Sequence, residues 1–406
     1  MIIKNIGELV GIVPEGVLRK RGAEMAETGV LKDAWLAVED GRNTAFGKLV
    51  DLPVGEPVEP TGIDARGGMV LPAFCDSHTH IVYAGSRDGE FLDKINGLSY
   101  EEIAARGGGI LNSADLLHKT SEDELYRQSM ERVREMMAKG TGAIEIKSGY
   151  GLNPEDELKM LRVIRRIKET VPAIVKSTFL GAHAVGRGYT HESYVQTVVD
   201  MMPRTAEFAD YVDVFCDEGF FTVEDTDRIL TVGAACGLRP KIHANELAVS
   251  GGVQVGVKHG ALSVDHLERT TDAEIEVLRG SDTMPTMLPG SSFFLGIPFG
   301  RAKEFIGAGL GVALASDYNP GSSPSGDMRF VMALACIRMR LTPTEALNAI
   351  TLNSAYAMGI SDITGSITPG KRADLLLTYP GWTLTKLPYL YQTPFLRKVF
   401  LNCQAL

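Results

Sequence analysis

Met69-Val70-Leu71-Pro72-Ala73-Phe74-Cys75-Asp76-Ser77-His78-Thr79-His80 runs from an unbroken apolar stretch straight into two histidines one residue apart. In a strand, residues i and i+2 point to the same side, so imidazoles at this spacing on a strand's C-terminal end can converge on one cation. Two surface histidines also produce this spacing, so the tripeptide gains meaning only from the rest of the chain. From residue 69 onward short apolar, β-branched runs recur at 69–75, 143–146, 175–180, 211–215, 241–242, 262–265, 283–288 and 312–315. They alternate with longer segments of helical periodicity, among them 121–139, 154–169 and 190–202, the first two opened by the capping residues Ser121 and Asn153. Eight β units, each followed by a helical segment, predict a TIM-like (β/α)8 barrel over residues 66–365. An open doubly wound sheet would carry a GxGxxG turn after a strand; Gly107-Gly108-Gly109 lies between helical stretches instead.

Outside this region the pattern changes. Residues 1–65 hold short strand-like pieces such as Leu36-Ala37-Val38 and Thr44-Ala45-Phe46 among Gly, Pro and charged turns, and residues 366–406 return to strands and tight turns. Isolated strands need partners, and domain termini often lie close together, so 1–65 plus 366–406 are expected to form one composite β-sandwich domain.

Composition narrows the function. The chain has 406 residues, 44% hydrophobic and 23% charged, with a formal net charge of -10. That balance disfavours nucleic acid, because phosphate binding draws on clustered Lys and Arg and the run Leu18-Arg19-Lys20-Arg21 is short. No stretch approaches the length of an apolar membrane span, and the N-terminus lacks an export signal. The five cysteines form no CxxC and sit mostly in apolar runs, as expected of thiols in the cytoplasm.

If the barrel forms, residues just past each strand share the face where such barrels carry their chemistry. His78 and His80 end the first strand, His243 the fifth, His266 the sixth and Asp317 the eighth, in a chain with eight histidines in all. Three imidazoles and a carboxylate leave an open position on a Zn²⁺ or Fe²⁺ (Fe³⁺) ion, and such an ion makes water a nucleophile near neutral pH. His266 would hydrogen-bond Asp317 or a developing oxyanion, and Glu246 would shuttle a proton to a leaving nitrogen. Glu246, His266 and Asp317 are thus the candidate catalytic groups, and His78, His80, His243 and Asp317 the candidate ligands. No Ser-His-Asp or Cys-His arrangement in strand–turn–helix context points to covalent catalysis.

This set resembles the amidohydrolase superfamily and, within it, the imidazolonepropionase family of histidine degradation. The resemblance is carried in order along the barrel by 76–87, 107–110, Glu145-Ile146-Lys147-Ser148-Gly149-Tyr150-Gly151, 179–184, Lys241-Ile242-His243-Ala244 and Ser316-Asp317-Tyr318-Asn319-Pro320-Gly321-Ser322-Ser323-Pro324. It implies hydrolytic ring opening of 4-imidazolone-5-propanoate to N-formimidoyl-L-glutamate, with one Zn²⁺ or Fe²⁺ (Fe³⁺) per subunit and a homodimer in the cytoplasm. Arg87 suits the substrate carboxylate; Tyr150, His183 and Glu246 suit its ring; Tyr100 could close over the pocket; Asn319, Gly321 and Ser322 are implied as further substrate contacts. Two positions depart from the pattern, Asn245 for a frequent Asp beside Glu246 and Cys75 for an aliphatic residue. Two other readings share the ligand set: a deaminase of a small heterocycle such as guanine, which has no need of Arg87, and a non-catalytic metal-binding scaffold, which would bind metal without turnover.

Overall fold

Alternation of apolar and polar residues within the barrel strands decides what faces where. The computed structural model of the chain describes residues 1–52, 62–98, 102, 108–402 and 404–406. In chain order its strands are β1 (Ile2–Ile12), β2 (Gly29–Glu39), β3 (Arg42–Lys48), β4 (Ile63–Asp64), β5 (Gly68–Pro72), β6 (Phe74–Thr79), β7 (Thr141–Lys147), β8 (Ile174–Ala182), β9 (Tyr211–Cys216), β10 (Arg239–Pro240), β11 (Ile242–Ala244), β12 (Ser263–His266), β13 (Met284–Met287), β14 (Ala313–Leu314), β15 (Leu375–Pro380), β16 (Leu396–Leu401) and β17 (Gln404–Ala405). Strands β6 to β9 and β11 to β14 pair in parallel in the order β6-β7-β8-β9-β11-β12-β13-β14. A parallel bridge between Thr79 and Tyr318 brings the two ends of this sheet together into a barrel. In β7, Ile144 and Ile146 enter the apolar core shared with the helices, so the alternate residues Glu145 and Lys147 point to the barrel interior. The same alternation places Asp213 inward between Val212 and Val214, and Asp265 inward beside Val264.

Local sequence starts and stops the helices. Glu122–Ala138 begins where the Ser121 side chain accepts the Glu124 N–H, and Pro154–Thr170 where Asn153 accepts the Asp156 N–H. Leu158, Leu161 and Ile164 of the latter turn inward at helical spacing and are buried, each worth about 1.5–3 kcal/mol on removal from water. The third predicted helix extends further than Pro203 suggests, spanning His191–Thr205. Proline removes one N–H from the ladder, and the helix ends two residues after it.

The apolar run 69–75 proves to be two strands in two sheets. Strand β5 lies between β15 and β1 in the terminal sheet, and β6 opens the barrel. Pro72 ends one ladder, and the next N–H, that of Ala73, donates to Asp374 O at 2.9 Å. The terminal sheet runs β17-β16-β15-β5-β1-β2-β3, mostly antiparallel. Leu9, Val70, Leu375 and Leu377 fill its own core, while Val10, Leu71 and Leu376 join the barrel core. No helix among the described residues is long and apolar enough to cross a membrane. Four free cysteines, Cys75, Cys216, Cys236 and Cys336, are described; Cys403 lies outside the described residues.

Candidate active site

The strand ends gather donor atoms of His78, His80, His243 and Asp317 around His80 Nε2. His78 Nε2 lies 3.2 Å from His80 Nε2, and His80 Nε2 lies 3.3 Å from His243 Nε2. Asp317 Oδ1 is 3.6 Å from His78 Nε2 and 3.5 Å from His80 Nε2. Four donors at about 2.0–2.2 Å from a tetrahedral cation would stand about 3.3–3.6 Å from one another. The four separations lie close to that range; donors of His78, His80 and Asp317, and those of His80, His183 and His243, are close enough to share one ion, and the donor chemistry agrees. His78 Nδ1 is 2.7 Å from Asp265 Oδ2, which can only accept, so Nδ1 carries the proton and Nε2 the lone pair. His243 Nδ1 lies 3.0 Å from Asp213 Oδ2, close enough for charge to act on the ring though the angle is not that of a hydrogen bond, and the His243 backbone N–H donates to Asp213 Oδ1 at 3.1 Å. Burial, reinforced by neighbouring cationic groups, holds His78 and His80 well below the usual histidine pKa, which keeps them neutral.

Beneath the imidazoles is a charged layer with no exposure to solvent. Lys147 Nζ donates to Glu145 Oε1 at 2.6 Å and Asp213 Oδ2 at 2.8 Å, and lies 3.7 Å from Asp265 Oδ2. Lys241 donates to Glu145 Oε2 and, at 2.9 Å, to Ser77 O. Burial disfavours the Lys147 ammonium, yet Asp213, Glu145 and Asp265 outweigh it and raise its pKa. None of these five was anticipated from sequence. Each is a charged residue in an otherwise apolar strand run, a signal that was available, since an inward-facing charge on a strand must find a partner.

His266 and Glu246 form a second group. His266 Nε2 is 3.6 Å from Glu246 Oε2, and its Nδ1 is 3.4 Å from Glu268 Oε2. Burial opposes charge on His266, but the two glutamates more than offset it and raise its pKa well above the usual value. A ring nitrogen of His266 also comes within 4.8 Å of those of His78 and His243; a protonated imidazole has no lone pair to offer, so His266 is the poorer ligand. Burial pushes the Glu246 carboxyl up to about 7, with Glu268 adding to it. Asp217 fixes the turn that carries Glu246 by accepting the N–H groups of Glu246, Leu247 and Ala248 at 2.8, 2.9 and 3.1 Å. Asn245 donates to Arg269 O at 2.8 Å, and Cys75 is buried in the core. Backbone strain concentrates here: Asn245, His266 and Asp317 have φ of 60°, 87° and 53°.

A cavity of about 640 Å³ opens over the cluster, lined by Arg87, Tyr150, His183, Phe220, Glu246 and Asn319 among others. Burial lowers the His183 pKa to about 3, and its Nδ1–H donates to Gly149 O at 2.9 Å, leaving Nε2 as an acceptor. Burial raises the Tyr150 pKa, so its phenol stays protonated. The loop between them hangs on Glu157, whose carboxylate accepts from the backbone of Gly149, Gly151 and Leu152. Asn319 spends its amide within its own turn: Oδ1 accepts from Gly321 N and Ser322 N, both at 2.8 Å, and Nδ2 donates to Asp317 O and Ser322 Oγ, both at 2.7 Å. Ser322 Oγ is 3.3 Å from Asp317 Oδ2. Tyr100 lies outside the described residues.

The fold and this cluster define the class. Residues 121–379 match the Amidohydrolase family, and solved structures of two deaminases share the fold. An adenosine deaminase from Xanthomonas campestris with bound zinc superposes with a TM-score of 0.73 at 16% identity, covering 100% of this chain and 92% of that one. A 5-methylcytosine deaminase from Klebsiella pneumoniae gives 0.76 at 15%, covering 100% and 97%. Sequence identifies the branch. An imidazolonepropionase from Flavobacterium johnsoniae is 51% identical over 100% of this chain and 99% of its own, and one from Geobacillus kaustophilus is 39% identical over 93% and 91%. The chain belongs to the imidazolonepropionase family of amidohydrolases.

Proposed function

We propose that this hydrolase opens the ring of 4-imidazolone-5-propanoate with water to give N-formimidoyl-L-glutamate, the third step of histidine degradation to glutamate. The carrying observation is one cavity that joins the four-donor cluster to Arg87, the cation a propionate needs. His78, His80, His243 and Asp317 would hold one Zn²⁺ or Fe²⁺, and a cation there supplies Lewis acidity and a water that is acidic near neutral pH.

The remaining work falls to the chain. Arg87 takes the carboxylate, His183 Nε2 accepts a ring N–H, and the Tyr150 hydroxyl donates to the ring. Glu246 takes a proton from the attacking water and returns it to the ring nitrogen as the C–N bond breaks, so no net proton is consumed at that step. Its pKa near 7 suits both halves of the exchange. Charged His266 faces the negative charge that grows on the carbonyl oxygen. Unpaired thiols among the described cysteines accord with action in the cytoplasm, and the resemblance carries a homodimer.

The test is incubation of purified protein with freshly generated imidazolonepropionate while its ultraviolet absorbance is followed. Loss of absorbance that stops with a chelator and resumes with added Zn²⁺ or Fe²⁺ is expected. Ammonia release from a guanine-like ring in place of ring opening would assign a deaminase, and metal binding without turnover a scaffold.

A further inference from the structure

Arg87 is not free to choose its own position. Its Nε and Nη2 both donate to Glu90 Oε2, at 2.9 and 2.6 Å. Glu90 is itself anchored, since Oε2 accepts the Gly109 N–H at 3.1 Å and Oε1 the Asn112 side-chain amide at 2.8 Å. The guanidinium lies against Gly321, where a Cβ would stand 2.1 Å from Nη1. A side chain at position 321 would therefore have to push this guanidinium aside. Both Arg87 and Glu90 line the cavity.

A guanidinium has a side edge, formed by Nε–H and one Nη–H, and an end edge formed by the two Nη groups. Glu90 occupies the side edge with a single oxygen. Among the described residues no acceptor takes the end edge, which is the geometry a second carboxylate needs for a paired contact. We infer that Glu90, with Asn112 and Gly321, is the positioning device that aims the end edge of Arg87 at the substrate carboxylate and so sets the enzyme's demand for an acidic side chain on the ring. The inference rests on the proposed reading of Arg87. It excludes the opposite role, in which Glu90 merely fills the carboxylate's place in the empty enzyme and must be displaced.

The two roles predict opposite signs. Gln at position 90 has a weaker acceptor, and its NH₂ group confronts either Gly109 N–H or the Asn112 amide. With full-length, metal-loaded enzyme, Glu90→Gln is expected to raise KM about tenfold while kcat stays within about threefold, because a positioning group for binding acts before chemistry. Asn112→Ala, which keeps both charges and removes one anchor, should raise KM about threefold. A binding pair separates this from the choice of substrate: imidazole propionate against 4-propylimidazole as competitive inhibitors, alike except for the carboxylate. Wild type should favour the propionate, and both variants should shrink that preference by the same factor as their KM change. An unchanged or lowered KM in Glu90→Gln would overturn the inference, and so would an unchanged preference. If Glu90→Gln does not fold, an unchanged KM and preference in Asn112→Ala decides against it. Absence of preference in the wild type, or of any ring opening, would instead remove the underlying reading of Arg87 or of the reaction.

Discussion

The floor of the site and its rim solve the same problem, holding charge in place, by opposite means. On the floor, Lys147, Glu145, Asp213 and Asp265 are 0% exposed, reach across the barrel from β7, β9 and β12 and contact one another through several atoms. At the rim, Arg87 and Glu90 are 11% and 15% exposed and belong to a loop and the helix Asp88–Ile95. A buried network is rigid and fails together, because a charge stripped of its partner there has no water to turn to. A rim pair can be weakened without loss of the fold. The floor is built to fix a cation, and the rim to admit and release a substrate.

The comparison breaks most easily at Lys147. Lys147→Met leaves Glu145, Asp213 and Asp265 with only Lys241 to balance them, and the expected cost is about 3–5 kcal/mol. Thermal denaturation of the metal-free protein measures it. A change of less than about 1 kcal/mol would mean that the layer is a tolerated cluster, not a coupled network. Next in size is the grip on the cation itself. Asp265→Asn and Asp213→Asn keep the shape of the contact with His78 and His243 but remove the charge that makes those imidazoles basic, so metal affinity should fall about 10–100-fold. Competition with a chromogenic chelator reads this without reference to turnover.

How much of this was legible beforehand follows the same division. The periodicity of the strands and the histidines at their ends announced the barrel and the cluster, because both signals lie within a few residues of one another. The floor was hidden for the converse reason: Glu145 meets Lys241 across 96 positions and His78 meets Asp265 across 187, and nothing local in Ala-Ile-Glu-Ile-Lys says which charge will pair with which. The split of 69–75 between two sheets was hidden too, since both strands are buried on both faces and read as one apolar run. Glu90 resembles any acidic residue in a first helical turn, where the helix dipole already favours it.

At the rim the expected effects are on binding. Arg87→Ala should raise KM about 10–100-fold, the worth of a charge-assisted paired contact, and leave metal content unchanged. If metal content fell with it, rim and floor would not be separable, and the contrast drawn between them would be wrong.

Glu157 lies between the two regions and gives the smallest expected effect. Burial pushes its carboxyl from 4.5 up to about 7, against the pull of the Ser148 hydroxyl and of the backbone N–H groups of Leu152, Gly151 and Gly149. The folded chain then holds this proton more tightly than the unfolded chain, so between about 4.5 and 7 the native state binds more protons. The group's contribution to stability is full below the unfolded value and is lost as pH rises through about 7. Glu157→Gln has no such proton, and its amide turns an N–H toward one of the backbone donors, a modest cost that does not vary with pH. Urea midpoints at about pH 5.5 and 8 should therefore fall more steeply for the wild type than for the variant. Parallel changes would show that the backbone N–H groups keep Glu157 ionised throughout, which would place the Tyr150 loop with the charged floor and not with the adjustable rim.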